Sequence, residues 1–295
     1  MRKTANKFKH RLVVLSFILP ALVLYCFFVI YPLLNSIRFS FFRMNPMRGH
    51  FHFIGIQNYV TLFTDDPHFI RAVSFTFRYA IIMVVVINVV ALLLAVKIES
   101  GIKGRGIVRN MFFIPNVMSV VIVAFVWGFI FTALYPSIVG MLDIPFLDIV
   151  WFATPQTAFW VIVIVSFWQA LGFHIIIFIA GLQVVPSELY EAAEVDGATP
   201  FKKMMRVTIP LLAPTITISL FLSIAGTLRL FDAPLALTGG GPMRSTESIV
   251  YNIYNTAFVS NELGLASAKS VFLLVLIAIV AFLQIRFTSS KEVSM

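Results

Sequence analysis

The chain has 295 residues, 60% of them hydrophobic and only 12% charged, with a formal net charge of +9. Soluble domains carry about a quarter of their residues as charges, so this composition excludes one and implies a polytopic membrane protein with a single membrane domain. The basic excess is spread as topology signals rather than gathered into a phosphate-binding stripe, which excludes nucleic acid as a partner. The single cysteine, Cys26, lies in an apolar run. It offers neither an intrachain disulfide nor a cysteine metal cluster, and is expected to be a small packing residue.

Crossing a bilayer takes about 20 apolar residues. Six runs qualify: 12–31, 73–96, 110–134, 157–180, 211–231 and 268–286. Arg2, Lys3, Lys7, Lys9 and Arg11 precede the first. Pro20 interrupts that run and no small-x-small cleavage pattern follows, so an uncleaved span is expected rather than a signal peptide. With the basic start inside, both termini are cytoplasmic. The inner segments then hold 14 basic against 6 acidic residues and the outer ones 8 against 7, the positive-inside bias.

In the outer stretch 31–71, Tyr31, Phe41, Phe42, Phe51 and Tyr59 are expected at head-group level. Arg38, Arg43, Arg48, Arg71 and Arg78 are expected to touch head groups, ahead of an extracytoplasmic partner. Lys97–Arg109, with Gly101, Gly104 and Gly106, reads equally as a topology-setting turn or as a contact for a partner subunit. Pro115 and Asn116 should bend the third span and free carbonyls that need neighbouring donors. Residues 135–155 suit a compact external turn. Gly239, Gly240 and Gly241 precede Pro242 with no strand before them, a tight turn rather than a phosphate cradle. Residues Glu247–Val259 suggest an amphipathic surface helix with Tyr251 and Tyr254 at the interface.

The longest polar break between the later runs is Glu188–Pro214. Ser187 is placed to cap a helix whose first turn carries Glu188 and Glu191, favourable at its positive end. Gly197 closes it, since glycine takes the left-handed conformation without cost. Thr199 then caps a second helix opened by Pro200, followed by Lys202, Lys203 and Arg206 and interrupted at Pro210.

Glu191-Ala192-Ala193, Gly197, Val207, Ile209 and Pro210 follow the spacing EAA-x3-G-x9-I-x-L-P, with two conservative departures at Val207 and Ile209. This segment resembles the loop of the permease subunits of binding-protein-dependent ABC importers. Pro20–Ser36, Phe53–Phe63, Gly104–Gly106, Phe112–Val117, Gly181–Gln183 and Leu237–Pro242 extend the resemblance to the carbohydrate branch, of maltose and multiple-sugar type. It implies an all-α type I importer permease fold of six transmembrane helices. Residues 1–71 would hold the cytoplasmic tail, first helix and outer loop, 72–287 the transmembrane domain with the EAA loop at 187–214, and 288–295 a cytoplasmic tail. The implied location is a prokaryotic plasma (inner) membrane. The implied partners are a second, commonly non-identical permease, two ATP-binding cassette subunits, an extracytoplasmic solute-binding protein, the sugar and lipid. No cofactor is expected on this chain, with ATP and Mg on the partner ATPases. Glu191, Ala192, Ala193, Asp196, Gly197 and Pro210 are implied to couple to the ATPase.

Gly264–Ser270 approaches a P-loop, but Ala268 stands where glycine is needed and no strand precedes it. The histidines His10, His50, His52, His68 and His174 show no metal-ligand spacing, and no nucleophile–base pair suggests an enzyme. Polar residues at membrane depth are the remaining signal. The fourth span holds Ser166, Trp168, Gln169 and His174, and the fifth Ser223, Thr227, Arg229 and Asp232. Sugars are held by aromatic faces and convergent hydrogen-bonding groups. Trp168, Gln169, Phe173, Ser223, Thr227, Arg229 and Asp232 are therefore the expected substrate pathway, with helix–helix ties as the competing role for Gln169, Ser223 and Thr227. Arg229 is expected to pair with Asp232 or snorkel outward rather than meet an anionic solute. The alternative function, an ion-driven secondary carrier, would need intramembrane relays, for which only His174 offers itself.

Overall fold

The computed structural model describes residues 15–45, 50–101, 103–142, 144 and 147–289. The basic N-terminus, the start of the first expected span, Arg48 and residues 290–295 lie outside them. In chain order come α1 (Leu15–Phe39), the hairpin strands β1 (Phe42–Asn45) and β2 (His50–Phe53), and α2 (Gln57–Thr64). Then follow α3 (Pro67–Glu99), α4 (Arg105–Val117), α5 (Val120–Leu142), α6 (Pro155–Leu182) and α7 (Ser187–Val195). Last come α8 (Pro200–Leu211), α9 (Ala213–Leu228), α10 (Ile249–Tyr254) and α11 (Leu263–Ser289). By length and hydropathy α1, α3, α5, α6 and α11 each suffice to cross a membrane, and the bent pair α8 and α9 makes a sixth candidate span. The short antiparallel hairpin is an addition to the helical fold read from the sequence.

Two compact units result, residues 1–65 with 253–272 and residues 66–252 with 273–295. In the first, α1 buries none of its span within the chain, and Cys26 is exposed rather than packed. Asn58 donates to the carbonyls of Ser40 (2.8 Å) and Phe42 (3.1 Å), tying α2 to β1. The Tyr59 hydroxyl donates to Ser40 Oγ (2.8 Å). Gly264 has a packing role: a Cβ there would overlap the carbonyl of Phe42. Lys269, in the same P-loop-like stretch, is buried and donates to Thr256 Oγ1 at 2.7 Å.

In the second unit α3 and α6 form the centre. Both open on a strong cap. Asp66 accepts from the Phe69 amide (2.9 Å) ahead of Pro67, and Thr154 and Thr157 exchange side-chain and backbone bonds around Pro155. Lipid tails are as apolar as leucine, so helix association in a bilayer relies on close packing, which small residues permit. Accordingly Ala72, Ala91, Ala95 and Ala158 are fully buried. Gly172 of α6 lies against the backbone of Phe112 and Phe113 in α4, and Gly181 against Thr215 of α9. Phe75, Met83, Ile87, Ile175 and Phe178 fill the space between.

Several expectations are corrected here. The third expected span, 110–134, is broken: α4 continues through Pro115 to Val117, Met118 is extended, and α5 starts at Val120. The break falls after the proline, where Met118 is extended (φ −74°, ψ 141°) and its carbonyl is met by Gln169 of α6. The fifth, 211–231, ends at Leu228 and is bent by 74° from the helix before it. Ser187 is the first helical residue rather than the cap, and Pro186 occupies the cap position without a side-chain bond. In Glu247–Val259 the helix starts at Ile249 and Tyr254 and Phe258 are exposed, but Tyr251 is buried together with Glu247 and Ile249 rather than at the interface, and the Ile249 amide donates to Thr76 Oγ1 (3.0 Å). Glu247 instead holds Arg244 through two bonds of 2.7 and 2.6 Å. Arg78 stacks over the Phe159 ring at 4.1 Å, an aromatic partner in place of the expected head group. The tight turn at Gly239, Gly240 and Gly241 has positive φ at all three.

A Cβ on Gly172 meets backbone, which cannot rotate away, whereas one on Gly128 meets nothing within 4 Å. Overpacking of this kind costs about 1–3 kcal/mol. Gly172→Ala is expected to lower the thermal unfolding midpoint of the purified protein and Gly128→Ala to leave it unchanged. Equal midpoints for the two variants would remove the α4–α6 contact from the account.

Candidate functional site

A cavity of about 300 Å³ opens among α3, α4, α6 and α9. Its polar lining comprises Tyr79, Asn116, Ser166, Gln169, His174, Ser223, Thr227, Arg229 and Asp232. Of the seven pathway residues named from the sequence, Gln169, Ser223, Thr227, Arg229 and Asp232 are brought together here. Trp168 and Phe173 are not among its lining. Trp168 packs edge-on against Trp127 (5.6 Å) and Phe173 against the His174 ring (5.5 Å).

A directed chain of hydrogen bonds crosses one wall. Asn88 Nδ2 donates to the Val84 carbonyl (2.8 Å) and to Ser223 Oγ (2.9 Å). The Val84 carbonyl can only accept, so the Asn88 atom facing it is the nitrogen and the side chain has one orientation, with Oδ1 accepting from Ser219 Oγ at 2.6 Å. Ser219 Oγ is in turn 2.8 Å from His174 Nδ1. Ser223 passes its own proton to the Leu220 carbonyl (3.0 Å). Ser219 and Ser223 are one turn apart on α9, so a single amide from α3 engages two successive turns. Gln169 Nε2 donates to the carbonyl of Met118 (3.0 Å), supplying the donor that the break between α4 and α5 requires.

Arg229 and Asp232 are exposed at the edge of the cavity, and no ion pair joins them among the described residues. The i,i+3 pairing needs a helix, and α9 stops at Leu228: Arg229 caps it with φ −98° and ψ 15°.

The second site feature is the elbow formed by α7 and α8. Gly197, at φ +69°, ends α7 with two crossed bonds. Its own amide reaches Glu194 O (3.0 Å), and the amide of Ala198 reaches Ala193 O (2.9 Å). Thr199 Oγ1 accepts from the Lys202 amide (3.4 Å) ahead of Pro200, as the sequence predicts. Lys203 spans the turn to Glu194 at 2.5 Å, holding that carboxylate below its ordinary value of 4.5 chiefly through the hydrogen bond and then through its charge. Pro210 has no N–H, and α8 adapts one turn earlier: over Met204–Thr208 it widens to π geometry, with the Ile209 amide reaching Met204 O. Leu212 is the joint to α9, with Pro214 in the first turn beyond. No residue of α7 is buried, and Glu191, Ala192, Asp196, Gly197 and Pro210 are exposed while Ala193 is half-buried. Val195 and Phe201 stand out at 89% and 70% exposure. A cavity of about 510 Å³ lies behind the elbow, lined in part by Val96, Glu99, Tyr190, Glu194, Lys203 and Thr208. Glu99 is neutralised there by Arg109 and by Arg105 (3.8 Å).

Sequence reasoning missed Asn88, Ser219 and Tyr79. A lone asparagine in the uncharged run 79–96 is itself the available signal, because an amide at membrane depth needs partners. Ser219 and Ser223 at i,i+4 on α9 supply them.

The profile of the family described as "Binding-protein-dependent transport system inner membrane component" matches residues 87–291. The probable starch degradation products transport system permease protein AmyD of Thermoanaerobacterium thermosulfurigenes is 36% identical over 295 residues, the whole of both chains. The multiple sugar-binding transport system permease protein MsmF of Streptococcus mutans is 34% identical over 293 residues, 99% of each. In fold, the chain resembles the crystal structure of a bacterial ABC transporter involved in the import of the acidic polysaccharide alginate. That alignment has a TM-score of 0.86 and 22% identity, covering 98% of this chain and 99% of the other.

Two outcomes follow from this geometry. Asn88→Leu takes from Ser219 its acceptor and from Ser223 a donor, and is expected to destabilise the purified protein by about 1–2 kcal/mol, a loss partly recovered when Ser219→Ala and Ser223→Ala are added. A thermal midpoint unmoved by Asn88→Leu would contradict it. The Glu194–Lys203 pair obeys the sign of a lowered acid: its contribution is complete above the ordinary glutamate range and disappears as pH falls through the depressed value. Carboxyl titration by NMR should show Glu194 rising to its ordinary value in Lys203→Met; an unchanged titration would mean that the pair does not form in solution.

Proposed function

Since the chain belongs to the family of binding-protein-dependent transport system inner membrane components, we propose that it passes a sugar or oligosaccharide across the membrane as one permease of an ABC importer. It is a multi-pass membrane protein, and the cavity of about 300 Å³ is its share of the pathway. Gln169, Ser223 and Thr227 offer the convergent hydrogen-bonding groups that a polyhydroxylated solute requires. Relatives whose names refer to starch degradation products and multiple sugars support the choice of solute class. A second permease completes the pathway, and an extracytoplasmic solute-binding protein delivers the sugar. Both termini and the elbow face the cytoplasm, in keeping with the basic bias of those segments.

The observation that carries the reading is the elbow. A helix that buries nothing within its own chain, and exposes Val195 and Phe201, needs a protein surface to cover it. We assign that surface to an ATPase subunit, which binds ATP and Mg while this chain carries no cofactor and no catalytic residue. The crossed bonds at Gly197 and the Lys203–Glu194 pair make α7 and α8 one stiff lever. Nucleotide-driven closure of the ATPases moves that lever. The soft points are Leu212 and the π turn before Pro210, so motion passes through the 74° bend into α9 and thence to the cavity wall. Energy reaches the membrane helices as displacement, with no proton relay through His174.

A Cβ at Gly197 meets nothing within 4 Å of this chain. Gly197→Asp therefore costs only the backbone strain of a positive φ, about 1 kcal/mol, and leaves the permease folded and inserted. In vesicles holding the full transporter, this variant is expected to reduce ATP-driven sugar uptake to background. Normal uptake would remove the elbow from the coupling path, and absence of uptake by the wild-type assembly on any sugar tested would remove the solute class.

A further inference from the structure

His174 lies on α6, is 5% exposed, and lines the cavity. Its ring makes one hydrogen bond among the described residues, from Nδ1 to Ser219 Oγ. The state of that bond is fixed from the far end. Asn88 Nδ2 is committed to the Val84 carbonyl and to Ser223, so Asn88 Oδ1 accepts, and the only proton of the Ser219 hydroxyl goes to it at 2.6 Å. Ser219 Oγ then has only lone pairs for the imidazole. Nδ1 must carry the proton, and in a neutral ring Nε2 is left bare, an acceptor and not a donor. Phe173 meets the ring edge to face and limits its rotation.

We propose that His174, which lines the cavity, is a specificity-determining residue of the pathway: its Nε2, kept a bare acceptor by Ser219 and Asn88, accepts a hydrogen bond from one hydroxyl of the transported sugar. The proposal rests on the sugar-permease reading and adds a direction to it. The site selects a solute that donates at this point, and rejects one presenting an ether, a carbonyl or a hydrogen atom there. A site built to bond a hydroxyl discriminates sharply against the analogue lacking it, because the buried polar group is then left without a partner. The chain behind the ring matters as much as the ring. Were Ser219 free to donate to Nδ1, the proton would move to Nε2 and the preference would invert.

The test uses the assembled transporter in nanodiscs, without binding protein, and equilibrium dialysis of radiolabelled maltose, trehalose and arabinotriose. The best-bound sugar is then compared with its monodeoxy derivatives. Asparagine places an amide where Nδ1 stands and keeps the contact to Ser219, but has no distal atom. Glutamine reaches the position of Nε2. His174→Asn is expected to weaken binding of the parent sugar about three- to tenfold while leaving one monodeoxy derivative, already weak on the wild type, unaffected. His174→Gln should recover most of the parent affinity. A simple packing defect would weaken all sugars alike, and that result, or unchanged binding in His174→Asn, overturns the proposal. Should His174→Asn fail to assemble, Ser219→Ala serves: it frees the ring to carry its proton on Nε2, so the monodeoxyfluoro derivative at that position, an acceptor only and weak on the wild type, is expected to bind the variant about threefold or more better, whereas unchanged binding of it overturns the assignment. Binding of none of these sugars by the wild type would overturn the proposal together with the solute class, whereas failure of the His174 variants alone leaves that class standing.

Discussion

A polar side chain inside a bilayer has no water to bond, so it must find partners in the protein or not be there. Asn88 meets that condition on every side: one amide hydrogen to its own helix, the other to Ser223, and its oxygen to Ser219. The cavity wall depends on this arrangement. Dispersion packing through Ala91, Ala95 and the neighbouring aromatic rings holds α3 and α6 close but tolerates sliding. A bond donated to one serine and accepted from the serine a turn away does not, because a shift of α9 along its axis would break both at once. Register and cavity shape are therefore set by three short polar side chains in an otherwise apolar interface.

The elbow solves the opposite problem, that of a rigid part and a yielding part in adjacent residues. Stiffness at Gly197 comes from local satisfaction: crossed backbone bonds, a capped second helix and an ion pair over the turn. Compliance at Pro210 to Pro214 comes from its absence. A proline cannot close the helical ladder, the turn before it widens, and Leu212 leaves helical geometry. Leu212 is nevertheless fully buried, so the joint bends about a packed pivot rather than swinging freely. A lever of this kind transmits force only where its stiff arm meets something outside the chain. The exposure of Val195 and Phe201 at the end of that arm agrees with such a contact.

What the sequence made legible follows the same division. Gly197, Thr199, Pro200 and Pro210 act through their own backbone, so their roles are readable from residue type and spacing. The membrane runs were readable because hydropathy is a property of a stretch. The break at Met118 lies beyond its expected place at Pro115, and the donor to the freed carbonyl is Gln169, some fifty residues away, which no local pattern could name. The burial of Ile249 likewise goes with a bond from its amide to Thr76, which arrives from far along the chain. Trp168 and Phe173 were placed in the pathway for their aromatic faces, yet which face of a largely apolar helix turns to a cavity is settled by neighbours. Asn88 escaped for the complementary reason: one polar residue in a long apolar run hardly alters its hydropathy.

Arg229 shows how far local structure governs charge at this site. From sequence, a cation at the end of a membrane helix invites either a neighbouring acid or an anionic solute. The helix itself supplies a third partner. Arg229 follows the last turn of α9, where unpaired carbonyls concentrate partial negative charge, and cations are stabilised at such ends. Its exposure lets the guanidinium remain solvated as well. The cation thus has a structural reason to stand at the cavity edge without Asp232 and without an acidic solute. Discrimination among solutes then falls to groups deeper in the wall whose bonding directions are fixed by the protein, foremost His174 with Ser219 and Asn88 behind it.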